Sequence, residues 1–410
     1  MSHVKINGVA AAVALALTLP AGTAAFASSL TDDATGTLQL RNFYFNRDFR
    51  DPGAQSKAEE WAQGFIFRGS TGYTHGSQGF GLETYAGLGI KLDSSDDRAG
   101  TALWPNSYGD EGRDTFSEIA FTAKAKLSNT ELKVGGLMPK LPIASSGDLR
   151  LLPQVYYGAA LAVGEIQGLD LQAGQLREVN YRNSSNRQDI IATVGGSSDR
   201  FNYLGANYKF NADNTVVGLW RSELDDVYGQ TLANIIHTIP VGDWKLNANL
   251  AYFDTRDNGS QALDIDHQLT SLMLSAGTGA HTFRLGYQYS DGDTAFPYLT
   301  ETDPYIANYV QVLDFARPGE KSWQARYDVN FATLGVPGLT AIARYIRGDN
   351  FEVAGQSAKE WERDIDFIYT VQTGAFKNVS VRWRNAMVRS DATRDINENR
   401  LILAYTLPLG

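Results

Sequence analysis

The chain has no cysteine, which excludes a disulfide framework and any thiolate-bound metal. Histidine is scarce, five residues in 410, and His75, His237, His267 and His281 are scattered rather than spaced as a ligand set or a triad. Asp264 and Asp266 lie beside His267, but on a strand the two acids share one face and the imidazole takes the other. Asp291-Gly292-Asp293 reads as a solvated turn. No metal, no cofactor and no enzymatic activity are expected. Nor is there a basic surplus: a net charge of −10 gives no reason to bind nucleic acid. After residue 27 no window holds 18 consecutive apolar residues, which excludes a transmembrane helix. No composition shift, charge block or Pro/Ser-rich linker divides the chain, so 28–410 reads as one domain.

The first 27 residues stand apart. Lys5 precedes an apolar run over 9–19, and Ala25-Phe26-Ala27 puts small residues at both positions a signal peptidase reads. That run is too short to cross a bilayer as a helix. The expected product is a signal peptide over 1–27, cleaved after Ala27, and an exported chain in a bacterium with two membranes.

What the chain does have is alternation. Over 79–92, Phe80, Leu82, Thr84, Ala86, Leu88, Ile90 and Leu92 interleave with Gly79, Gly81, Glu83, Tyr85, Gly87, Gly89 and Lys91. Such a strand is apolar on one face and small or charged on the other. Nineteen stretches show the pattern, from 36–49 to 396–409, among them 188–196, 319–333, 359–374 and 376–390. Single-chain bacterial barrels have an even number of strands, so the count is set near 18. The chain also holds 40 Gly, 20 Tyr, 19 Phe and 7 Trp, a composition suited to turns and aromatic-rich strands. The fold expected is an all-β, transmembrane antiparallel barrel with lipid outside and water inside. Short turns, at Asn129, Gly335-Val336-Pro337-Gly338 and Gly374-Ala375, alternate with long connections over 93–114, 139–155, 291–308 and 348–359. One or two long loops are expected to fold into the lumen.

Parity sorts the charges. Trp323, Ala325, Tyr327, Val329 and Phe331 take the lipid side, which turns Arg326 and Asp328 inward. The same argument turns Arg284, Arg344, Arg382, Arg384, Arg400, Arg41 and Arg47 inward, the last two with Phe43 and Phe45. Unpaired arginines beside water attract anions and hold carboxylates bidentately. The competing reading pairs them with inward acids such as Glu83, Asp328 and Asp366; Arg382 and Arg384 have no acid at i ± 2.

Several segments resemble one family. Arg41-Asn42-Phe43-Tyr44-Phe45-Asn46-Arg47-Asp48, Glu60-Trp61-Ala62-Gln63-Gly64-Phe65, Leu137-Met138-Pro139-Lys140-Leu141-Pro142, Arg150-Leu151-Leu152-Pro153-Gln154, Arg382-Trp383-Arg384 and Asn399-Arg400-Leu401-Ile402 look, in order, like the OprD family of substrate-specific outer-membrane channels. The resemblance implies 18 strands and a constriction made by two inward loops, 139–155 and 291–314. It implies a ladder of basic residues that guides carboxylates, at positions matching Arg47, Arg150, Arg382, Arg384 and Arg400. Arg150, on the Pro-rich loop, is placed by the resemblance alone. Tyr298 and Asp314 resemble eyelet residues. Some relatives are described as serine proteases, but the matching position here is Tyr305, so that activity does not carry over. Barrels of this class usually end on an aromatic residue read by the barrel-assembly machinery, whereas this chain ends Leu407-Pro408-Leu409-Gly410. The function expected is passive, selective uptake of small carboxylate or amino-acid solutes across the outer membrane, in contact with its lipid and lipopolysaccharide, by a monomer or loose trimer. A general diffusion porin is the alternative.

Overall fold

A computed structural model describes residues 30–53, 55–110, 112–259 and 264–409. The predicted signal segment and its cleavage point, Gly410, and residues 262 and 263 of one predicted strand lie outside these. The described chain is a closed antiparallel β-barrel of 18 wall strands. They are β1 (Thr35–Phe49), β2 (Lys57–Ser70), β3 (Gln78–Asp93), β4 (Thr115–Leu127), β5 (Thr130–Leu137), β6 (Val155–Ile166), β7 (Leu169–Asn180), β8 (Phe201–Phe210), β9 (Thr215–Leu224) and β10 (Tyr228–Val241). The wall continues through β11 (Trp244–Asp257), β12 (Asp266–Thr278), β13 (His281–Gly292), β14 (Lys321–Asn330), β15 (Leu339–Val353), β16 (Gln356–Thr370), β17 (Val379–Ser390) and β18 (Ile396–Pro408). Each strand pairs with the next, and β1 closes on β18 in register from Thr37↔Pro408 to Phe49↔Ile396. Closure leaves no sheet edge, the condition for a β-structure to sit in lipid.

The alternation predicted over 79–92 becomes β3, with Phe80, Leu82 and Leu92 outside and Gly79, Tyr85, Gly87 and Gly89 buried inside. Phe121, Leu204, Leu219, Phe283 and Leu285 extend the outer apolar surface around the wall. The inner face is asymmetric. Along β6–β12 it is filled by a core of Tyr156, Phe201, Trp220, Tyr228, Phe253 and Leu269, against which Phe296 and Leu299 of the 293–320 loop pack. The inward arginines of the wall lie mostly along β13–β18 and β1.

Four local expectations change. The stretch 188–196 is not a wall strand: Arg187–Gln188 extends the pairing of β7, and Ile190–Ile191 pairs with Ser197–Ser198 inside a loop. Its alternation has another cause, since Ile190 and Ala192 pack into the inner core, and Gly195 and Gly196 (φ 97° and 81°) turn the chain back. The segment 348–359 is not a long loop. β15 runs on to Val353 past a bulge at Gly348/Phe351, and Ala354 and Gly355 (φ 52° and 73°) make a two-residue turn into β16. Beyond the membrane the strands need no apolar face, so pattern alone misses them. Third, Phe331 leaves the strand: Phe331–Leu334 is a 3-10 turn capped by the Asn330 side chain, which accepts from Ala332 N. Likewise β16 ends at Thr370 and β17 starts at Val379, a longer turn than Gly374-Ala375 implies.

Gly205 faces Trp220 across the β8–β9 pair, and a Cβ there would lie 2.1 Å from the indole ring. Gly205→Val should therefore cost about 1–3 kcal/mol by overpacking. The check is a lower temperature at which the folded, fast-migrating band converts to the unfolded one on SDS gels.

Candidate functional site

Strand register turns the inward arginines into rows. Cross-strand partners share a face and lie about 5 Å apart. Arg284 opposes Arg326, Arg326 opposes Arg344, and Arg344 opposes Asp364. The row continues through Ala386 and Glu398 to Arg47. The next row runs Asp328, Ile342, Asp366, Arg384, Arg400, Phe45. Because the strands of such a barrel tilt by about 35–45°, each row climbs the lumen as a staircase.

Like charges side by side are destabilising unless acids intervene. Asp328 takes both Arg284 (2.7 Å) and Arg326 (2.5 Å). Asp364 takes Arg344 (2.6 Å). Asp366 receives the Arg382 Nε–H at 2.9 Å and lies 3.2 Å from Arg384 Nε. Glu398 takes Arg47 (2.7 Å) and Arg400 (2.6 Å). Arg150 pairs with no described carboxylate; it donates to the carbonyls of Thr101 (3.2 Å) and Leu149 (3.1 Å). Among the described residues seven guanidinium groups thus share four carboxylates, and Arg150 stands beside them on carbonyls alone. The competing reading, that inward acids pair these arginines, is what the structure shows for Arg382 and Arg384, although neither has an acid at i ± 2. Their partner lies on the neighbouring strand, where cross-strand register, invisible in a linear pattern, sets it opposite Arg384.

Three of the arginines converge on one ring. The guanidinium carbons of Arg400, Arg150 and Arg47 lie 4.6, 5.2 and 5.4 Å from the Phe45 centroid. The aromatic face offers negative potential to cations that Glu398 alone does not neutralise. Arg400 is fully buried there, while the Arg284, Arg326 and Arg382 side chains keep 34, 24 and 32% of their surface open toward the lumen. These three are the most open guanidinium groups of the rows. Below the loops, a cavity of about 390 Å³ bordered by Arg68, Ser70, Tyr85, Lys133, Met138 and Tyr203 continues the lumen toward the short-turn end.

The two loops expected to narrow the lumen do fold inward, and they bind each other: the Gln154 side chain donates to Thr300 O (3.0 Å) and Asp303 N to Ser145 O (3.2 Å). Arg41 anchors the first, donating to Asp148 (2.7 Å) and to Arg150 O (2.7 Å). Two further loops join them. Residues 94–114 hang on Glu60, which accepts from Thr101 N (3.0 Å) and Asn106 Nδ2 (2.6 Å). Residues 181–200 meet the 293–320 loop at the Ala192↔Leu299 bridge. Tyr298 and Asp314 are brought together: the Tyr298 hydroxyl donates to Asp314 Oδ2 (3.1 Å). Burial holds the Asp314 carboxyl above the ordinary carboxylate range, and the cation that steadies it is Arg317 of the same loop. Tyr305 donates to Asn249 of β11 (2.8 Å) and so packs the loop to the wall.

One element escaped the sequence reading apart from Asp366. Glu360, Glu362, Asp364 and Asp366 alternate along β16, and all four face inward and are buried. The lower two meet arginines. The upper two hold the 293–320 loop: Glu362 accepts from Val312 N (2.9 Å) and Leu313 N (2.8 Å), and Glu360 from Arg317 Nε (3.1 Å). The signal was present as four acids at every second residue.

Residues 28–409 match the family model described as outer membrane porin, OprD family. The chain is 41% identical over 404 residues to the porin-like protein GalP of Pseudomonas putida, covering 97% of each. Among solved structures it resembles OccK9 of Pseudomonas aeruginosa, with 47% identity and a TM-score of 0.91 over 93% of this chain and all of that one. It also resembles OpdK of the same organism, solved with vanillate, with 41% identity and a TM-score of 0.88 over 93% and 100%.

Removing the Glu362 carboxylate should free two loop amides on half-buried residues, at up to about 1–3 kcal/mol for unsatisfied groups. In single-channel recordings, Glu362→Ala should show larger current noise and higher mean conductance than the parent, the signature of a loosened 293–320 loop.

Proposed function

The chain belongs to the OprD family of outer membrane porins, and from that premise we propose that it admits small carboxylate-bearing solutes selectively, by passive diffusion past the arginine rows. The family consists of channels, transporters rather than enzymes, and such barrels belong to the outer membrane of Gram-negative bacteria. The observation that carries the finer reading is that seven guanidinium groups of one wall share four carboxylates, with Arg150 of the inward loop beside them on carbonyls alone. That a relative was solved with vanillate, an aromatic carboxylate, supports small organic acids as the class.

The physics is of exchange rather than capture. A carboxylate about 4 Å from a guanidinium gains roughly 4 kcal/mol at an effective dielectric of 20. An arginine already shared with Asp328 or Asp366 offers only part of that, so the solute binds weakly at each step and moves on. Successive rows about 5 Å apart let one group take up the anion as the last releases it. Arg47, Arg150 and Arg400 set the positive potential at the loops, and the opposite wall, apolar along β6–β12, suits the body of an aromatic acid. Export by a signal peptide over residues 1–27, the single domain 28–410, insertion by the barrel-assembly machinery and a monomer or loose trimer complete this reading; no cofactor enters it.

In planar bilayers under a salt gradient, the protein should be anion-selective, and vanillate or benzoate should reduce its current saturably. Arg382→Gln with Arg384→Gln should lower the anion-to-cation permeability ratio several-fold. Unselective, ohmic conduction indifferent to vanillate would instead identify a general diffusion porin.

A further inference from the structure

The outer face of the barrel carries a second cluster of cations, separate from those of the lumen. Cross-strand register on the lipid side of β14–β17 reads Trp323, Arg347, Trp361, Arg389 in one row and Ala325, Tyr345, Arg363, Met387 in the next. The aromatic members form a girdle of tilted rings: Trp323 and Tyr345 have centroids 5.6 Å apart, and Tyr345 and Trp361 5.8 Å. Such girdles mark the level where hydrocarbon gives way to headgroups. The rows lie toward the long-loop ends of the strands, which in this class face the cell exterior.

The cations are under-neutralised. Arg347 is exposed and makes no hydrogen bond or ion pair with any described residue. Arg363 donates to the Asn385 side-chain oxygen, but its Nε–H is buried without a partner, and no described carboxylate pairs with it. Arg389 lies over the Trp361 ring at 5.9 Å and has the one carboxylate contact of the group, Asp395 at 3.4 Å. Lys321 stands over Tyr289 at 5.2 Å, and Asp349, opposite it in register, makes no ion pair with it. Elsewhere on the barrel Arg177, Arg200 and Arg256 each contact an aspartate.

An arginine on the lipid face costs about 2–4 kcal/mol at the midplane and close to nothing at the interface. Two neighbouring arginines there, neither ion-paired with a described carboxylate, call for an anion supplied by the membrane. The arginine fork matches phosphate bidentately, and the aromatic girdle beside it suits acyl chains. We propose that Arg347 and Arg363, flanked by Trp323, Tyr345 and Trp361, bind the phosphorylated headgroup of an outer-leaflet glycolipid on the outside wall of the channel. The partner is a lipid A-type molecule, held by its phosphate on the guanidinium pair and by its acyl chains along the girdle.

The full-length protein would be placed in phosphatidylcholine nanodiscs doped with bisphosphorylated lipid A, and retained lipid counted by native mass spectrometry. The parent should retain lipid A, and the same lipid stripped of both phosphates should be lost. Arg347→Gln with Arg363→Gln should lower retention at least about tenfold, as expected for losing a charge-assisted pair. Restoring charge without the fork, by Arg347→Lys with Arg363→Lys, should recover part of it. Single-channel conductance and heat-modifiability should stay at parental values, because neither side chain faces the lumen. Equal retention by the glutamine variant, or retention that does not depend on the phosphates, would overturn the proposal.

Discussion

The pairing of β1 with β18 is the constraint on which the rest depends. In hydrocarbon an unpaired backbone amide has no water to turn to, so the sheet closes or does not insert. Closure makes side-chain parity absolute: one parity meets lipid and the other meets the lumen for the length of the strand. It also fixes strand tilt, and tilt converts cross-strand neighbours into ascending rows. The arginine staircase is therefore a consequence of barrel geometry acting on alternate residues.

Inside that frame, charge and packing are divided between opposite walls. The apolar core of β6–β12 gives the 293–320 loop a surface to settle on, through Phe296 and Leu299. The acids of β16 hold its other flank through Glu362 and Glu360. The same strand then lends Asp364 and Asp366 to the arginines beside it. One stripe of alternate acids both holds the inward-folded loop and pairs the arginines beside it. Attraction strong enough to immobilise an anion would close a channel as surely as a plug.

The outer wall obeys the same parity with a different solvent. Arg347 and Arg363 reach outward for the reason that Arg344 and Arg384 reach inward, since each lies on the opposite parity of its strand pair. What separates them is what they find: carboxylates of neighbouring strands inside, and the headgroup layer outside.

Much of the fold and part of the site could be read from the chain alone. The barrel class, a strand number near 18 and the inward placement of Arg47, Arg284, Arg326, Arg344, Arg382, Arg384 and Arg400 follow from alternation, a property of adjacent residues. The strand misread at 188–196 and the hairpin at 348–359 failed where apolar faces served a loop core or left the membrane. Tertiary structure alone decided which arginines share an acid, that Arg150 and Arg400 meet over Phe45, that four loops rather than two fill the lumen, and that Glu362 is an anchor. Parity is written along one strand and survives translation into space unchanged; register and loop docking join residues far apart in sequence, and only the closed barrel brings them together.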